Sequence, residues 1–173
     1  MNAHGRALDP HPVDADGATE VDITVKVNGE WVRQRVEARL SLADFLRQGC
    51  GATDVHVGCE QGKCGACTVL LDGLAVRGCL TLAAQADGAA VETVAGLTQV
   101  GRLAALQDAF LARNALQCGF CTPGMLVAAM TLLEAGPCPD RAGIREAISG
   151  HYCRCTGYEA IVDAIAAAGE GNP

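Results

Sequence analysis

The chemistry of this 173-residue chain begins with its ten cysteines. One pair, Cys118 and Cys121, stands in CGFCTPG, and a Cys-x-x-Cys of this kind can open a redox dithiol, a zinc site, a disulfide framework or an iron-sulfur centre. The other thiols arbitrate. Cys59, Cys64, Cys67 and Cys79 follow the spacing C-x4-C-x2-C-x11-C, which fits the plant-type arrangement for a 2Fe-2S cluster, where four thiolates hold two bridged irons. Three of them lie within nine residues, so the loop must wrap tightly around a bulky core. Gly58, Gly62 and Gly65 supply the permissive backbone for that path, and Ala66 keeps its wall thin. Amides in such a loop can point at sulfur and tune its chemistry. A structural zinc ion is the competing occupant, but zinc sites use two separated knuckles, whereas here three ligands crowd one loop.

Cys118 and Cys121 find partners in Cys153 and Cys155 of GHYCRCTGY, giving C-x2-C-x31-C-x-C. Each pair precedes an expected helix start, Thr122-Pro123 and Thr156-Gly157, where free amides and the positive end of the dipole favour negative sulfur. A second anionic cluster suits that setting. So does a thioredoxin-like dithiol at Cys118 and Cys121, and spacing alone leaves both readings open. Cys50 and Cys138 fall outside both sets and read as small buried hydrophobes or incidental thiols. His151 could titrate beside a centre, but a local hydrogen bond is the simpler role for it. A Cys-His nucleophile is a poor reading for Cys118.

Composition narrows the partners. At 50 % hydrophobic and 19 % charged the chain is globular, and a net charge of -7 argues against nucleic acid or an anionic membrane surface. The longest apolar runs, such as MLVAAMTLLEA, fall short of the ~20 residues of a membrane span. The first twenty residues lack the pattern of a secretory signal, so the expected location is the reducing cytoplasm, where ten cysteines are metal ligands or reactive thiols rather than staples. No Gly-rich phosphate loop appears, so any nucleotide cofactor belongs to another chain.

The elements that must position the thiols fall into two halves. Residues 1–20 mix Pro, Gly, Asp and His without periodicity and read as a flexible tail. Val21, Ile23, Val25 and Val27 alternate with polar residues, Asn28-Gly29 signals a turn, and Trp31 to Val36 resumes an extended segment. Ser41 and Asp44 resemble a capping box opening a helix, LADFLRQ. TVLLDGLAVRG reads as strand, turn and strand, a short helical piece follows, and VETV at 91–94 reads as a last strand. The period then changes to helical: Leu103, Leu106 and Phe110; Pro123 to Ala135; Ile144, Ala147 and Ile148 behind an Asp140 cap; and Tyr158, Ile161, Val162 and Ile165. The expected fold is α+β, with residues 21–95 a small sheet with one packed helix and residues 96–173 a four-helix domain.

Three stretches in this order, CEQGKCGACTVLLDG at 59–73, QCGFCTPGM at 117–125 and GHYCRCTGY at 150–158, closely resemble the iron-sulfur small subunit of the molybdenum hydroxylases. That family includes xanthine dehydrogenase, aldehyde oxidoreductase, aerobic carbon monoxide dehydrogenase and N-heterocycle dehydrogenases. The resemblance covers about residues 21–168. It implies a β-grasp, plant-ferredoxin-like domain followed by a four-helix domain, each with one 2Fe-2S cluster. It implies partners as well: a large subunit carrying molybdenum-molybdopterin, as the cytosine dinucleotide, and a medium subunit carrying FAD, together a dimer of heterotrimers. Electrons would run from molybdenum through the cluster of Cys118, Cys121, Cys153 and Cys155, then that of Cys59, Cys64, Cys67 and Cys79, to flavin. By the same resemblance Gln117 would contact the pterin, although a polar residue bonded to backbone is its plainer reading. Arg154 could neutralise cluster charge or face a partner carboxylate. His151 and Tyr152 depart from the family pattern, where many relatives carry Asn and an aliphatic residue. A free-standing two-cluster ferredoxin is the alternative function.

Overall fold

The alternating apolar residues form strand β1, Glu20–Val27, in the computed structural model, which describes residues 19–170. Strand β2, Glu30–Glu37, pairs with it antiparallel, Val27 opposite Glu30. Asn28 and Gly29 make the turn at φ 50° and 92°, the left-handed pair that a tight I′ hairpin needs. The tail expected over residues 1–20 lies outside the described residues up to position 18. Glu20, by contrast, is already strand, opposite Glu37.

Strands β3, Thr68–Leu71, β4, Leu74–Arg77, and β5, Ala90–Glu92, complete a five-stranded sheet of order β2-β1-β5-β3-β4, in which β1 and β5 run parallel. Ser41 caps as expected, its Oγ accepting the Asp44 N–H at 3.1 Å. The helix behind it is not the regular one expected. Only α1, Leu42–Asp44, is α-helical, and the chain then widens into a π-helical turn, Phe45–Gly49, closed by the Cys50 N–H on the Phe45 carbonyl. Phe45 and Leu46, adjacent in sequence, are both fully buried in the core under the sheet.

The segment VETV also departs from expectation. Strand β5 ends at Glu92, and Val94 opens a helix, α2, Val94–Gln99, that the sequence did not announce. Two valines and a threonine favour a strand, but Val94 and Leu97 pack into the helical core, and tertiary packing overrides so weak a local preference. Among the described residues this half therefore has five helices: α2, then α3, Ala104–Ala112, α4, Thr122–Glu134, α5, Arg141–Ala147, and α6, Glu159–Glu170. The Asp140 carboxylate caps α5 through the Gly143 N–H at 2.9 Å.

Two apolar cores result. One lies under the sheet around Ile23, Val25, Phe45 and Leu46. The other lies among the helices around Leu103, Phe110, Met125, Ile144 and Ile161. Strand β3 serves both, because successive side chains point to opposite faces: Val69 enters the first core and Leu70 the second.

Candidate metal centres

The loop between Cys59 and Cys67 takes its path through three left-handed residues, Glu60, Gly62 and Gly65, at φ 53°, 73° and 74°. That winding turns backbone donors inward. The N–H groups of Cys64 and Gln61 each reach the Cys59 sulfur at 3.4 Å, and they hold its thiol down at about 6, so it is largely thiolate at neutral pH. Cys67 comes against Cys79 and near Cys64, and burial pushes it up to about 11. The four thiols that share the first spacing pattern therefore share one place.

The second four also meet. Cys118 and Cys155, both exposed, have sulfurs 3.6 Å apart, and Cys121 lies against Cys153 with Cys118 nearby. Burial and then the Cys153 neighbour push Cys121 up to about 12, whereas hydrogen bonding led by the Thr156 hydroxyl overcomes burial and lowers Cys153. All ten cysteines are free. Among the described residues no three ligating side chains close on a single ion. A bridged two-iron core takes its thiolates two per iron, and so asks for a wider ring than one ion would.

Helix placement differs between the two pairs. Cys121 is the residue before α4, with Pro123 in the first turn and the Met125 N–H on its carbonyl at 3.0 Å, as the sequence suggested. Cys155 is not at a helix start. Gly157 and Tyr158 at φ 65° and 71° break the chain, and α6 begins only at Glu159. The dipole argument thus holds for one pair alone. In its place Tyr158, read from periodicity as part of the helical stripe, turns its hydroxyl to accept the Cys153 N–H at 2.9 Å. Thr156 donates its hydroxyl to the Cys153 sulfur at 3.2 Å.

The two sites are bolted together by small residues and one arginine. A Cβ on Gly65 would overlap the His151 ring and come within 2.6 Å of the Gly150 carbonyl. A Cβ on Gly124, in the first turn of α4, would run into the Gly65 carbonyl. Arg77 donates to the Thr68 hydroxyl at 2.5 Å, to His151 Nε2 at 3.1 Å and to the Gly150 carbonyl at 3.0 Å. The Tyr152 N–H donates to the Cys64 carbonyl at 2.9 Å.

His151 is 5 % exposed, and burial, with Arg77 beside it, brings it down to about 4, so it is neutral. Because Arg77 can only donate, Nε2 is the accepting nitrogen and Nδ1 carries the proton. The local hydrogen bond expected of His151 is there, to a residue of the other half. Arg77 itself carried no motif in the sequence; its place one residue before the Gly78-Cys79 turn was the only available signal.

Of the remaining residues, Gln117 is exposed and its Nε2 donates to the Cys155 carbonyl at 3.0 Å, the backbone bond that was its plainer reading. Arg154 is exposed and makes no ion pair among the described residues. Cys50 packs against the sheet core and Cys138 against the helical core, and burial raises both thiols.

The chain matches known iron-sulfur families and proteins. Residues 25–97 match the family described as 2Fe-2S iron-sulfur cluster binding domain, and residues 93–166 match the [2Fe-2S] binding domain family. The chain is 52 % identical over 156 residues to the nicotine 6-hydroxylase small subunit of Paenarthrobacter nicotinovorans, covering 90 % of this chain and 91 % of that one. It is 49 % identical over 146 residues to caffeine dehydrogenase subunit gamma of Pseudomonas sp. strain CBB1, covering 83 % and 87 %. Among solved structures, quinoline 2-oxidoreductase from Pseudomonas putida 86 superposes with a TM-score of 0.82 at 52 % identity, over 87 % of this chain and 94 % of that one.

Proposed function

Since the chain belongs to the iron-sulfur small subunits of the molybdenum hydroxylases, and so transfers electrons within an oxidoreductase complex, we propose which residues carry that task and between which partners. Cys59, Cys64, Cys67 and Cys79 hold one 2Fe-2S cluster, and Cys118, Cys121, Cys153 and Cys155 hold the other. Each supplies a site that takes up and releases one electron. The polypeptide does the rest. The N–H groups on the Cys59 sulfur stabilise thiolate, the Thr156 hydroxyl does the same for Cys153, and the Gly65, Gly124 and Arg77 contacts keep the two loops in register.

The observation that carries this reading is the meeting of the eight motif cysteines in two quartets that share one packed boundary, with Cys50 and Cys138 left apart. We further assign a large subunit with molybdenum-molybdopterin as the donor and a medium subunit with FAD as the acceptor. The helical half would face the donor, because Cys118, Cys155 and Gln117 lie exposed there, ready to meet a pterin. A division of the chain near residue 95 and a dimer of heterotrimers in the cytoplasm complete the proposal. Relatives named for nicotine, caffeine and quinoline support a nitrogen heterocycle as the substrate of the donor subunit. A free-standing carrier is set aside by the family.

Iron and acid-labile sulfide analysis of the purified complex tests the ligand assignment. Two clusters per chain, with two distinct electron paramagnetic resonance signals on reduction, are expected. Stoichiometric zinc in the chain, or a single signal, overturns it.

A further inference from the structure

Besides the Arg77, Gly65–Gly124 and Tyr152 contacts there is a further crossing between the halves, and the ligand sets do not explain it. Phe120 stands between Cys118 and Cys121, yet its ring leaves the helical half. It stacks on His56 with ring centroids 4.9 Å apart and planes 19° from parallel. His56 precedes Cys59 by three residues, and its Nδ1–H donates to the Phe120 carbonyl at 2.8 Å. One residue thus grips another by both ring and backbone. Beside them Gly58 has no side chain, and a Cβ there would be 3.3 Å from the Phe120 ring edge and 3.3 Å from the Cys64 sulfur. The Phe120 ring and the Cys64 thiol therefore border the same gap, the one the missing side chain of Gly58 leaves open.

We propose that the Phe120–His56 clasp is the positioning contact that sets the electron route between the two ligand loops: Phe120, in the chain between Cys118 and Cys121, borders the gap at Gly58 that the Cys64 thiol also borders. The inference rests on the ligand assignment proposed above. One electron leaves the helical-half cluster, which is oxidised, and enters the other, which is reduced; Phe120 and His56 change neither bonds nor charge. Three features support a role beyond packing. Phe120 is 46 % exposed, so its burial alone is a weak reason for its place. The hydrogen bond fixes the backbone of a ligand loop rather than a side chain, which is what holding a distance requires. Any side chain at position 58 would crowd both the ring and the thiol.

The test uses the complete complex, reduced with substoichiometric dithionite, frozen at intervals and followed by the two cluster signals. Phe120→Ala and His56→Ala should keep full iron content and both signals, while electron equilibration between the clusters slows severalfold. Phe120→Tyr, which keeps ring and backbone, should equilibrate like the unaltered complex. Amide exchange of residues 51–58 should rise in both alanine variants, a readout independent of turnover. Unchanged equilibration in Phe120→Ala with both clusters present overturns the proposal. So does slowing in Phe120→Tyr equal to that in Phe120→Ala. Should Phe120→Ala lose iron through misfolding, His56→Ala, outside the ligand loops, decides alone. Fewer than two clusters in the unaltered chain would instead sink the ligand assignment, a separate failure.

Discussion

Replacing Gly124 by Ala puts one methyl group into the boundary between the two sites. Its Cβ would overlap the Gly65 carbonyl oxygen, with Gly65 C at 3.0 Å and Ala66 Cα at 3.2 Å, where ordinary contact begins at 3.4 Å. All three neighbours are backbone, so no rotamer can yield. Relief requires the Cys64–Cys67 loop and the start of α4 to move apart. Overpacking of this kind costs about 1–3 kcal/mol, whereas Ala over Gly gains at most about 1 kcal/mol in a helix, and less in the first turn. The clash wins. In a chain of this size each kcal/mol lowers Tm by roughly 2–4 °C, so a fall of about 5 °C is expected, with bleaching of cluster absorbance moving in step. Thermal unfolding of the purified complex, followed at once by circular dichroism and visible absorbance, measures both. A Tm equal to or above that of the unaltered protein would refute the claim that this boundary is rigid.

The buried neutral His151 predicts acid sensitivity. Its folded value, about 4, lies below the 6.5 of the free side chain, so the unfolded chain binds the proton first and stability drains away as pH falls from 6.5 toward 4. The full effect is on the order of 3 kcal/mol; urea midpoints at pH 7 and pH 5 should differ less in His151→Asn, and an equal difference would contradict the assignment. Replacing Cys50 and Cys138 together by Ala should leave iron content intact, and loss of a whole cluster would show that the quartets are misassigned. Cys121→Ser substitutes a harder, poorer ligand. Rapid mixing of that variant complex with substrate should still reduce molybdenum while flavin bleaching slows greatly, and flavin reduced at the unmodified rate would exclude the proposed route.

Much of the site was legible because thiol spacing is local information, and so are the Asn28-Gly29 turn, the Ser41 and Asp140 caps and the alternation in β1. What escaped was set by contact across the chain. Val94 looks like strand until Leu97 and the helical core claim it. Tyr158 looks like a core residue until its hydroxyl is needed by the Cys153 amide, a demand created by the bent GHYCRCTGY loop. The role of Gly124 depends on where Gly65 lies, and the partners of Arg77 sit over seventy positions away at Gly150 and His151. Periodicity carries no record of such meetings, since each residue is ordinary in its own neighbourhood.

Strand β3 places limits on how such a chain can be taken apart. With Leu70 fully buried among helices that begin some two dozen residues later, a cut or crossover near residue 95 would strip the cover from a central strand and leave the helices without part of their floor. Chimeras that exchange only the sheet half, or only the helical half, between two related subunits should inherit mismatched surfaces at Leu70, Gly65 and Gly124 together. The portable module is the pair, and grafting it onto another oxidoreductase means moving both halves as one piece, with joints placed outside β1 and α6.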